Sequence, residues 1–172
     1  VVAFRSRRSS RAHELVARRH PEPFRILDSR RSAVTAIFLD THAWIWLAAG
    51  DARLRRHERM LNRAALAGNL RLSAISLCEC ALTGLESEGG KRRGKQVVLM
   101  RPTVHEWLRD AERLTRVRVV PVEGAHAIDA ATLHAMHADP FDRLIVAAAL
   151  SSQARLMTAD VKIIAFAKSA GV

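Results

Sequence analysis

Cysteine is scarce in this chain, long apolar runs are missing and acidic residues are outnumbered, and each shortage narrows what the protein can be. Of 172 residues only Cys78 and Cys80 carry a thiol, and on a helix that i,i+2 spacing turns them to different faces. Such a pair serves neither as a staple nor as half of a zinc site, so both cysteines are expected to do ordinary packing. No stretch approaches the roughly 18 to 20 apolar residues of a membrane-spanning helix. The first residues are studded with Arg instead of forming a charged region followed by an apolar one, which argues against a secretory leader. The expectation is a cytoplasmic protein with no membrane partner.

What the chain does have is an apolar half, 49% of its residues, enough for one domain with a core of its own. It also has 28 Lys and Arg against 17 acids, a formal charge of +11 that attracts polyanions at long range. The excess is uneven: residues 1–36 hold nine Arg against Glu14, Glu22 and Asp28. Clusters of Ser and Arg, two prolines and no sustained apolar period make residues 1–33 read as a basic, disordered arm. Residues 34–172 read as the domain proper.

From Val34 onward, short aliphatic runs alternate with helical patterns, which marks an α/β domain with a mostly parallel sheet of four to five strands. The runs Ala36 to Leu39, Leu70 to Ser73, Arg116 to Val120 and Arg155 to Met157 are the candidate strands. Helices are expected around Trp44, across Leu54 to Leu66, at Leu77 to Leu85, Thr103 to Leu114, Gly124 to His134 and Asp142 to Leu150. The last of these, "DRLIVAAAL", is apolar nearly all round and should be buried. "ESEGGKRRGKQ" interrupts the pattern as an exposed basic loop.

The informative acids stand where a strand or loop turns into a helix. Asp40 ends the first strand, Glu79 follows the second, Asp139 and Asp142 flank "DPFD", and Asp160 follows the fourth. Each could simply cap its helix: Ser76 and Glu79 fit a capping box, and Asp139 before Pro140 fits an N-cap with proline at the first helical position. Their joint placement argues for more. In a parallel sheet the carboxyl ends of the strands lie along one edge, where such folds build their sites, so several carboxylates would converge. Carboxylates gathered like that need a counter-charge, and oxygen ligands without a Cys or His set favour Mg²⁺ or Mn²⁺. An ion so held suits phosphodiester hydrolysis.

The blocks "FLDTHAWIWLAAGDARL", "LSAISLCECAL", "RVVPVEGAHAIDAATL", "MHADPFDRLIVAAAL" and "LMTAD", in this order over residues 36 to 168, resemble the PIN-domain ribonucleases, specifically the VapC-type toxins of bacterial toxin–antitoxin pairs. The resemblance implies a three-layer α/β/α sandwich and a metal-dependent endoribonuclease acting on RNA. It also implies neutralisation by a cognate antitoxin and a family-like homodimer. Carried over residue by residue, it implies a catalytic and Mg²⁺- or Mn²⁺-binding quartet of Asp40, Glu79, Asp142 and Asp160. Asp142 is preferred to Asp139 because the family's third acid immediately precedes the apolar helix. Asp139 is then an auxiliary acid or a helix cap, and Thr158 an auxiliary hydroxyl near a metal-bound water. Cys78 and Cys80 flank Glu79 where the family usually has Trp and an aliphatic residue.

Other side chains have plainer roles. His42 and His137 lie near the acids as proton shuttles or, more simply, as packing and hydrogen-bonding groups. Arg143 reads as a structural cation before a phosphate contact. Phe38, Trp44 and Trp46 offer a base-stacking platform, although helical spacing keeps the two tryptophans off one face, leaving one for the core and one for a partner surface. Two other functions compete. A catalytically silent PIN-like module that docks RNA or protein is disfavoured by acids at all four positions. A Mg²⁺-dependent phosphatase would need an acid two residues after Asp40, where His42 stands.

Overall fold

The computed structural model of the protein describes residues 25–27, 36–88, 103–136 and 138–170. Its order is β1 (Arg25–Leu27), β2 (Ile37–Leu39), α1 (Thr41–Ala49), a 3₁₀ helix (Ala52–His57), α2 (Glu58–Leu66), β3 (Leu70–Ser73), α3 (Ala74–Glu88), α4 (Val104–Thr115), β4 (Arg118–Val120), α5 (Gly124–Thr132), α6 (Pro140–Ser151), β5 (Arg155–Thr158) and α7 (Val161–Ala170). The strands form one sheet in the order β1-β5-β2-β3-β4. All pairings are parallel except β1 with β5.

Strand β1 lies inside the stretch read as a disordered arm. It is an antiparallel edge strand whose three residues follow Pro21 and Pro23, too short to show an alternating pattern. Of the stretch Glu86 to Gln96, expected as a loop, Glu86 to Glu88 instead end α3, and the remainder lies, with the rest of residues 1–33, outside the described residues.

The side chains of β2 are all buried and alternate between the two faces of the sheet, which divides the core into two layers. Ile37 and Leu39 enter one cluster with Trp44, Leu54, Leu61, Leu70, Leu72 and Ala111. Ala36 and Phe38 enter the other with Ile145, Val146, Leu156 and Ile163. Helices α1, α2 and α4 therefore cover one face of the sheet, and α6 and α7 cover the other, a three-layer α/β/α sandwich. The apolar helix "RLIVAAAL" is buried from Ile145 to Ala149, as its composition requires.

Several boundaries differ from the sequence reading, four of them for an identifiable local reason. Arg116 takes a left-handed φ of 52° as the C-cap of α4, so it cannot belong to the strand, which begins at Arg118. Helix α3 begins at Ala74, directly after the strand, because the Ser73 hydroxyl accepts the Ile75 N–H at 3.2 Å. Ser76 is thus inside the helix and buried, and the Ser76–Glu79 capping box does not form. The segment before α2 is a separate 3₁₀ turn capped by Asp51, which accepts from Arg53 N–H at 2.8 Å. Helix α6 begins at Pro140, so Asp142 is its third residue.

Topology fixes where a site can be. From β2 the chain steps one way to β3 and β4, then returns to place β5 on the other side of β2, so the strand order reverses at β2. In open parallel sheets the crevice at such a switch point, beyond the carboxyl ends of the strands, is where ligands bind. Leu39 is in register with Leu72 and with Met157, which leaves Asp40, Ser73 and Thr158 at that carboxyl edge.

Candidate active site

Asp40 occupies the switch point and is almost fully buried, at 2% exposure. Its N–H continues the ladder to the Met157 carbonyl at 3.1 Å, which locks the residue to β5 as well as β2. As an N-cap it is weak, because Oδ1 accepts from Thr41 N–H at 2.7 Å and reaches no later amide of α1. Oδ2 instead accepts from the Thr158 hydroxyl at 2.5 Å, and His42 Nδ1 stands 3.4 Å from it. A buried carboxylate held by groups from a neighbouring strand and a helix is organised for something other than capping.

The neighbouring acids come from three further segments. Glu79 lies in the second turn of α3, half-buried. Asp142 is in the first turn of α6, also half-buried. Asp160 precedes α7, where its Oδ1 accepts from Lys162 and Ile163 N–H at 2.7 and 3.1 Å, and its own N–H donates to Thr158 Oγ1 at 2.9 Å. Asp139 caps α6, accepting the Phe141 N–H at 3.0 Å.

Electrostatics show that these five carboxylates share one region. Burial pushes the Asp142 carboxyl up to about 7, and Asp40, Asp139, Asp160 and Glu79 each add repulsion. Glu79 is raised in the same way, first by burial and then by Asp40 and Asp139, against a downward pull from the Thr41 hydroxyl and His42. That hydroxyl is buried and makes no full hydrogen bond among the described residues. Asp142 begins a helix whose N-terminal dipole favours anions, yet burial and the surrounding acids win.

The donor chemistry suits a hard divalent cation. All the acids offer oxygen, the repulsion that raises Asp142 and Glu79 is what a cation would relieve, and the orphaned Thr41 hydroxyl adds a polar atom beside Glu79. Among the described residues no group of three or more His, Cys, Asp or Glu side chains is already placed to hold a metal ion. Asp40, Glu79, Asp142 and Asp160 would hold Mg²⁺ or Mn²⁺, an ion that keeps several waters and is content with few protein ligands.

Several sequence expectations are corrected here. Phe38 and Trp44 are fully buried and Trp46 is 6% exposed, so they form no stacking platform, and Trp46 is not an open partner surface. Trp44 Nε1 donates to Thr115 Oγ1 at 3.0 Å, and the ring meets Trp107 edge-on at 5.5 Å. Arg143 donates to the Met136 carbonyl at 3.1 Å, in keeping with a structural role. Cys78 is exposed and Cys80 buried, on different sides as the spacing required, and burial pushes the Cys80 thiol up to about 12. His137 lies outside the described residues. The link from Thr158 to Asp40 and from His42 to Ala159 was not foreseen, since nothing local in the sequence marks contacts that span more than a hundred residues.

Residues 37–169 match the PIN domain family. No curated protein matches the chain. Among solved structures, a DNA-bound VapBC from Salmonella typhimurium is similar at 21% identity, covering 71% of this chain and 83% of that one with a TM-score of 0.46.

Proposed function

This chain belongs to the PIN domain family, whose members are generally nucleases, and from that premise we propose that it is a Mg²⁺- or Mn²⁺-dependent endoribonuclease. The observation that supports this most is the convergence on Asp142: Asp40, Asp160 and Glu79 from three other segments, with Asp139 at the start of its own helix, repel its charge at the carboxyl edge of the sheet. A fold that needed only helix caps would have no reason to crowd them.

In this reading Asp40, Glu79, Asp142 and Asp160 are the metal-binding and catalytic quartet. The bound ion would polarise a phosphoryl oxygen, lower the pKa of a bound water and neutralise the leaving oxyanion. The chain's own residues set the stage. Thr158 and Thr41 N–H orient both oxygens of Asp40. Asp160 keeps Oδ1 on the helix amides, leaving Oδ2 for the site. Asp139 holds the start of α6, and with it the position of Asp142.

The substrate is RNA, and its affinity comes in part from the basic arm and from Lys91, Arg92, Arg93 and Lys95, since phosphate contacts carry affinity largely without sequence preference. The sequence blocks shared with VapC-type proteins further support a cytoplasmic toxin of a type II toxin–antitoxin pair, a homodimer held inactive by its cognate antitoxin. The test is to incubate the purified protein with total RNA and sequence the new ends, with Mg²⁺ and with EDTA. Discrete ends that require Mg²⁺ are expected. RNA binding without new ends would favour the catalytically silent module, and ends unaffected by EDTA would remove the metal from the mechanism.

A further inference from the structure

We infer that His42 is a positioning residue for the acidic site: its ring fixes the turn that carries Asp160 against the carboxylate of Asp40, and so sets the spacing of two metal ligands. The inference rests on the metal-binding reading above and adds a residue that the quartet does not contain.

The Ala159 N–H donates to His42 Nε2 at 2.9 Å. A nitrogen that accepts from an amide carries no proton, so in the neutral ring the proton is on Nδ1. That nitrogen is the one facing Asp40 Oδ2, at 3.4 Å. One ring therefore joins the backbone of the turn after β5 to the carboxylate at the end of β2, although Ala159 and His42 are 117 residues apart.

The neighbouring amide is held in parallel. Asp160 N–H donates to Thr158 Oγ1, which donates in turn to Asp40 Oδ2. Two successive amides, those of Ala159 and Asp160, are thus referred to the same carboxylate, one through His42 and one through Thr158. With a single strut the turn could pivot about Thr158; with two it cannot. The chain would otherwise have to rely on the short β5 strand and the start of α7 to place Asp160.

The ring is itself braced. His42 meets Trp46 at 5.0 Å between centroids with the planes at 59°. The Arg53 guanidinium lies over the Trp46 ring, 3.8 Å from its centroid. Arg53 is gripped by Asp51 through two hydrogen bonds of 2.9 and 2.6 Å. Trp46 is one turn beyond His42 on α1, so the helix presents both rings to the same side. This explains why an aromatic so close to the acids is buried and braced instead of being open to a base.

Two substitutions separate the contacts. His42→Gln can still offer an amide oxygen where Nε2 stands, keeping an acceptor for Ala159 N–H, whereas His42→Ala offers nothing. Mn²⁺ affinity is measured by titration calorimetry in the absence of RNA, beside thermal unfolding of each metal-free protein. The parent should bind Mn²⁺, His42→Ala should bind about 10-fold or more weakly, within the range lost when outer partners of a metal site are removed, and His42→Gln should recover most of the loss. Both variants should remain folded. If His42→Ala binds Mn²⁺ as the parent does, or if Gln is no better than Ala while both are folded, the positioning role is wrong. Should Ala unfold, the Gln variant decides alone, since parent-like affinity supports the strut and a 10-fold loss in a folded protein overturns it. A parent that binds no Mn²⁺ overturns the metal reading itself, and with it this inference.

Discussion

The Thr158 hydroxyl donates to Asp40 Oδ2 at 2.5 Å while accepting the Asp160 N–H at 2.9 Å, so one side chain binds two acids that are 120 positions apart in sequence. Thr158 is completely buried, and its hydroxyl has no water to fall back on. Thr158→Val keeps the shape and removes both bonds. A part-buried N–H and a buried carboxylate oxygen would each lose a partner, at a cost of up to about 1–3 kcal/mol per orphaned group. The urea midpoint should fall by an amount corresponding to at least about 1 kcal/mol, and Mn²⁺ affinity should fall with it. A midpoint within error of the parent would show that Thr158 is not a structural link.

Asp40→Asn tests the centre of the site. The amide preserves size and can still accept from Thr41 N–H, but it removes the charge at the switch point. RNA cleavage should drop by about 100-fold or more, since even outer partners of metal ligands cost 10–100-fold, while the circular dichroism spectrum and unfolding midpoint stay close to the parent's. Loss of the charge also relieves Asp142 and Glu79 of one repulsion, so the metal-free variant should not be less stable by more than the altered hydrogen bonds allow. A variant that cuts RNA at the parental rate would remove Asp40 from the ligand set.

How far the sequence could be read follows from the range of each interaction. Strand Leu70 to Ser73 and the buried helix around Ile145 were legible because the signal is local: a bounded aliphatic run, and apolar residues on every face. The acids at strand ends were legible because α/β topology converts a position in the sequence into a position on one edge. The Ser76–Glu79 capping box was a false local signal, since Ser73 three residues earlier had already started the helix. The tryptophans were ambiguous because composition cannot say whether an aromatic near a site faces a base or Thr115. Strand β1 was invisible because three residues pair only by virtue of the β5 edge already formed.

Asp139 and Asp142 share the first turn of α6 and divide its work. Asp139 Oδ1 accepts an amide, a role that Asn fills as well, so Asp139→Asn should keep much of the cleavage activity. Asp142 has its carboxyl crowded by the other acids, and Asp142→Asn should abolish cleavage while stabilising the metal-free fold by removing a buried charge. Cleavage rates, and urea midpoints at pH 8 where the half-buried Asp142 is ionised, settle the division. The reverse order of activities would make Asp139 the ligand and leave Asp142 as the supporting acid.

The raised Asp142 carboxyl makes opposite predictions for stability and for metal binding. Its ordinary value is 3.8 and burial with like charges lifts it to about 7, so between those values the folded protein keeps a proton that the unfolded chain has lost. Stability from this group is therefore fully present below about pH 4 and is lost as the pH rises through about 7. In EDTA the parent should become less stable, relative to Asp142→Asn, from pH 5 to pH 8, because the Asn variant has no such proton to lose. Metal affinity runs the other way, since an ion must displace that proton to reach the carboxylate. The parent should bind Mn²⁺ about 10-fold more tightly at pH 8 than at pH 6, with a proton released on binding at the lower pH. Calorimetry in two buffers of different ionisation enthalpy would count that proton. An affinity flat across this range, with no proton released at pH 6, would mean that Asp142 is ionised throughout and that its neighbours do not press on it as the geometry requires.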